Sequence, residues 1–85
     1  MTFAECLKYT KMSLRAVLGA EVKSIRAESG LTQMALSLEI GCSENAVLAA
    51  ETGCTPISPE KMLVMLILLG TEPERIAELI KHAVS

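Results

Sequence analysis

At 85 residues the chain is one small domain with room for only a modest core. Apolar residues make up 51% of it, yet it holds no Trp, one Tyr and one Phe, so the core is aliphatic and the composition favours helices over sheets. Net charge is −2, there is no Asp, and the single histidine, His82, stands far from every cysteine, which excludes a zinc-ligand spacing and leaves no catalytic constellation.

The charge is unevenly spread. Residues 1–30 hold five cations against three glutamates, a net of +2. Residues 31–60 hold Glu39, Glu44, Glu51 and Glu60 and no Lys or Arg, a net of −4. Residues 61–85 balance. Cys6, Cys42 and Cys54 form no C-x-x-C pair, as suits reduced thiols in the cytoplasm. Met1–Lys11 mixes charged with apolar residues, unlike a signal peptide. The longest apolar run, Met62–Leu69, is too short to span a membrane.

Turn and cap signals divide the chain into five helices, or six if the first is broken. Thr2-x-x-Glu5 is a capping box, with Phe3 and Leu7 on one face of the helix it opens. Ser13 either caps a second helix or lies inside the first. Residues 1–13 are accordingly set apart as an N-terminal extension of a core at 14–84. From Leu14 onward, Leu14, Leu18, Val22 and Ile25 recur at helical spacing, and Gly30 closes the segment. Thr32 caps the next helix, with Leu36 and Ile40 inward. Gly41 turns the chain, Ser43 caps a short helix with Val47 and Ala50 inward, and Gly53 stops it. Thr55-Pro56-Ile57 is a connection. Ser58-Pro59 starts a fourth helix and Gly70 ends it. Pro73 opens the last, whose Ile76, Leu79, Ile80, Ala83 and Val84 form one stripe. No segment reads as a strand.

Two short helices joined at Gly41 and Ser43 form a helix-turn-helix pattern. The residues around it are more specific: LG-x-x-V-x-x-IR at 18–26, GLTQ at 30–33, Leu36, G-x-S at 41–43, Val47, E-x-G at 51–53, Pro56 and LG at 69–70. In order and spacing they resemble the Cro/C1-type (XRE) helix-turn-helix family over about three-fifths of the chain. The resemblance implies an all-α bundle and an internal ion pair between Arg26 and Glu51. It implies that Gln33 touches a phosphate or caps the second helix and that Ser43 caps the recognition helix. Glu44, Asn45, Leu48 and Ala49 would read bases.

Those four positions depart from the pattern. Only Asn45 carries an amide able to pair with adenine. Non-specific affinity for DNA comes mostly from Lys and Arg neutralising phosphates, and none lies between Arg26 and Lys61. Met34 and Leu38 stand one turn apart on the second helix, at positions that are polar in the family. Taken as outward-facing, they join Glu39, Glu44, Asn45, Leu48 and Ala49 in an apolar surface with an acidic rim, which suits a protein partner. Alternatively, the N-terminal helix covers Met34 and Leu38. Val64 and Ile67 either pack on the last helix or form a homodimer seam.

Two functions follow as expectations, neither enzymatic and neither needing a metal or cofactor. One is a cytoplasmic transcriptional regulator that captures a DNA-binding protein. Such an antiactivator or antirepressor would resemble the small QseM-type proteins of bacterial mobile elements. The alternative is a DNA-binding repressor that reads its operator with Gln33, Ser43 and Asn45.

Overall fold

A computed structural model describes residues 2–53 and 57–84. Five helices account for the secondary structure among them, with no strand: α1 (Phe3–Glu28), α2 (Gln33–Ile40), α3 (Glu44–Thr52), α4 (Pro59–Leu68) and α5 (Pro73–Val84). Cys54, Thr55 and Pro56 lie outside the described residues.

Side-chain caps set four of the helix starts. The hydroxyls of Thr2, Thr32, Ser43 and Ser58 each accept a hydrogen bond from the backbone N–H three residues on, which satisfies a donor the helix cannot. Gly41 takes φ +76° between α2 and α3, and both its N–H and that of Cys42 donate to the Ser37 carbonyl. A side chain would be strained at that angle, so the turn residue is glycine.

Helix α1 runs unbroken through Ser13 for 26 residues, about 39 Å at helical rise, close to the 42 Å long axis of the molecule. Nothing in 10-TKMSL-14 stops it, because a serine inside a run of good helix formers costs too little to break the ladder. Its second half is the central strut. Leu18 and Val22 are wholly buried, and α3, α4 and α5 all pack on it. Leu36, Val47, Met62, Leu66 and Leu79 complete an aliphatic core.

Gly19 is the point of closest approach. A Cβ there would collide with the backbone carbonyl of Ala50, so only glycine lets α3 lie against α1. Arg75 bridges α5 to α1 with two 3.0 Å hydrogen bonds to Glu21, and these hold the Glu21 carboxyl below its usual range. The expected α5 stripe is found except at its end, where Val84 is exposed. On α4 the apolar residues divide: Met62, Met65 and Leu66 are buried, while Val64, Ile67 and Leu68 face out.

Candidate interaction face on the helix-turn-helix

Helices α2 and α3 pack on one another, and α3 also packs on α1. Their mutual position is locked by one polar cluster. The Arg26 guanidinium donates from Nε to Glu51 Oε2 at 2.7 Å and from NH2 to Oε1 at 2.9 Å, a bidentate pair. Its NH1 donates to the Leu31 carbonyl at 3.0 Å, and Gln33 Nε2 donates to Glu51 Oε1 at 3.3 Å. The Glu51 side chain is only 1% exposed. Burial pushes its pKa up, but the hydrogen bonds from Arg26 and Gln33 and the charges of Arg26 and Lys23 outweigh that, and the group stays below the usual carboxylate range. Three elements therefore meet at one carboxylate: the end of α1, the start of α2 and the end of α3.

Gln33 is consequently turned inward. It is half-buried and bonded to Glu51, and the cap of α2 is Thr32. The family resemblance gave Gln33 a phosphate contact or the cap of α2, and neither implies this bond to Glu51. The G-L-T-Q spacing carried no hint of it, since the partner lies eighteen residues away.

The outward sides of α2 and α3 carry the remaining candidates. Met34 is 50% exposed, Leu38 75% and Leu48 40%. Glu39, Glu44 and Asn45 are exposed, and neither glutamate makes an ion pair among the described residues. Ser43 spends its hydroxyl on the Ala46 N–H at 3.1 Å. The N-terminal part of α1 does not cover Met34 or Leu38, since both remain exposed.

Ala49 is a correction. It was expected on the outward surface but is 8% exposed. It shares a concavity with Ala16, Ala50, Ile57 and Met62, on the flank of α3 that faces α1. Its methyl group reaches no further than the helix backbone, so the neighbours close over it.

Beside the turn, a groove of about 490 Å³ runs between α3 and α4, lined by Ile40, Cys42, Ala46, Val64, Met65 and Leu68. Burial pushes the Cys42 thiol up, which keeps it protonated and a poor nucleophile. Among the described residues no group of His, Cys or Glu side chains could hold a metal ion, and no helix is long and apolar enough to cross a membrane.

No curated protein and no solved structure matches this chain. A family model described as a helix-turn-helix domain matches residues 17–79, from the middle of α1 into α5. That span contains the Arg26–Glu51 lock, the Gly41 turn and the Ser43 cap, and membership of such a family points to transcription regulation in place of catalysis. The chain belongs to the helix-turn-helix domain family.

Proposed function

We propose that this protein regulates transcription by binding another protein, using the outward sides of α2 and α3 to capture a DNA-binding regulator as an antiactivator or antirepressor. The observation that carries this reading is the chemistry of those two helices. They expose Met34, Leu38 and Leu48 among Glu39 and Glu44 and contain no Lys or Arg. A phosphate backbone offers nothing to an apolar side chain and is repelled by a carboxylate. An apolar patch with a charged rim is what a protein interface presents. The acidic rim would suit a regulator whose own DNA-binding surface is basic.

The second reading, a DNA-binding repressor, draws on a different feature. Asn45 stands exposed in the first turn of α3, where a recognition helix would meet base edges. Phosphate contacts would then have to come from α1.

Affinity capture from the native host, with wild-type protein beside Leu38→Glu, separates the two. Recovery of a transcription factor by the wild type and its loss in the variant supports the protein-binding reading. A salt-sensitive, sequence-specific gel shift at nanomolar protein overturns it.

A further inference from the structure

The first eleven residues of α1, Phe3–Ser13, leave the bundle. Their inward stripe is a continuation of the buried one: Phe3 and Leu7 line up with Leu14 and Leu18 at helical spacing. Leu18 is wholly buried and Leu14 partly so, but Phe3 is 83% exposed. Phe3 lies about 16 Å beyond Leu14 along the axis. A phenylalanine can bury on the order of 150–250 Å², and here almost none of that is used.

This arm is cationic. Lys8, Lys11 and Arg15 line a shallow concavity with Ala4 and Leu7. Arg15 is anchored by its Nε to the Ile57 carbonyl at 2.8 Å, while Lys8 and Lys11 make no ion pair among the described residues. The one acidic side chain on the arm, Glu5, accepts a hydrogen bond from the Thr2 hydroxyl. Among the described residues two exposed apolar surfaces thus carry opposite charge: the arm, and the outward sides of α2 and α3 with Glu39 and Glu44.

They cannot meet within one chain. The arm is part of a continuous helix whose residues from Leu14 onward are fixed in the core, so it cannot fold back. Arm-on-arm pairing would leave Glu39 and Glu44 without a cation, whereas arm-on-face pairing sets Lys8 and Lys11 against them. We infer that a second copy of this chain is the arm's partner: each copy lays Phe3, Leu7, Lys8 and Lys11 on the Met34, Leu38, Glu39 and Glu44 surface of the other, giving a closed dimer with two identical contacts. The contact does not rest on the regulator-binding reading, because it needs no third protein. Its consequence for that reading is competition, since the dimer hides the same surface.

Sedimentation velocity of the full chain over a concentration series tests it. The wild type forms a dimer, whose dissociation constant rises at least about tenfold from low to high salt as the charge pairs are screened. Phe3→Glu/Leu7→Glu and Leu38→Glu each sediment as monomers at concentrations where the wild type is dimeric, with unchanged helicity, because all three positions are exposed. Mixing the two variants restores one of the two contacts, an intact arm on an intact face, so at raised concentration a dimer-sized species appears that neither variant forms alone. Val64→Glu/Ile67→Glu remains dimeric. A wild type that stays monomeric throughout overturns the proposal. So does a Leu38→Glu protein that still dimerises, which would indicate arm-on-arm pairing, or a mixture that gains no dimer over either variant alone at any concentration. Dissociation by the Val64→Glu/Ile67→Glu change alone would also overturn it, by assigning the seam to α4.

Discussion

The two sides of α3 follow different rules. The inward side, with Val47, Ala50 and Glu51, is occupied by residues that a helix-turn-helix needs in order to fold: two are buried in the core and the third is the carboxylate on which Arg26 and Gln33 converge. The outward side, with Glu44, Asn45 and Leu48, carries no Lys or Arg. The nine residues of α3 thus hold the fold on one side and present an acidic residue, an amide and an apolar residue on the other. Fold membership is set by the inward side and partner choice by the outward one, so the first does not imply the second.

That division can be broken from either side. The largest effect is expected at Gly19→Ala, which drives a methyl group into the Ala50 carbonyl and pries α3 from α1. A loss of about 3 kcal/mol, the upper end for overpacking against unyielding backbone, should appear in chemical denaturation. A change within about 0.5 kcal/mol, ordinary for an exposed site, would mean that the helices are not held at this distance.

On the outward side, Leu38→Glu/Leu48→Glu should leave the melting temperature nearly unchanged. Affinity for the captured regulator should fall about a hundredfold, or roughly 2.7 kcal/mol, by calorimetry. Loss of stability without loss of binding would invert the comparison.

Glu51→Ala returns to the inward side. It removes charge-assisted hydrogen bonds from a nearly water-free site and should cost on the order of 2 kcal/mol. The pH dependence follows from the lowered pKa. A carboxylate whose folded pKa lies below its unfolded one, near 4.5, stabilises the fold above that value and loses the contribution as pH falls through the folded pKa. Glu51→Gln should therefore differ from wild type most at neutral pH, and the two melting curves should converge in acid.

Asn45→Ala should have the smallest effect, within about 0.5 kcal/mol on stability and little on the protein partner. A DNA-binding repressor would instead lose its one base-reading amide, which a gel shift on the cognate operator would register.

Much of this molecule was legible in the sequence because the signals are local. Thr32, Ser43 and Ser58 cap where they were expected to, since an N-cap bond joins residues three apart and needs no knowledge of the rest of the fold. The Arg26–Glu51 pair was also anticipated, but through a family resemblance and not through any local rule. The exposed state of Met34 and Leu38 was left open, and only the folded chain settles it. Ala49 was misplaced because an alanine on the flank of a helix gives no periodic signal strong enough to say which neighbour covers it.

By itself, then, the sequence determined where helices begin and end, that their core is aliphatic, and that the middle third carries no cation. Tertiary structure alone decided that α1 is one strut through Ser13, that Gly19 is the contact with Ala50, that Gln33 serves Glu51, and that Phe3 and Leu7 project beyond the bundle. The physical reason is range: caps, turns and composition act within a few residues, whereas a close approach, a shared carboxylate or an uncovered stripe exists only once distant segments have been brought together.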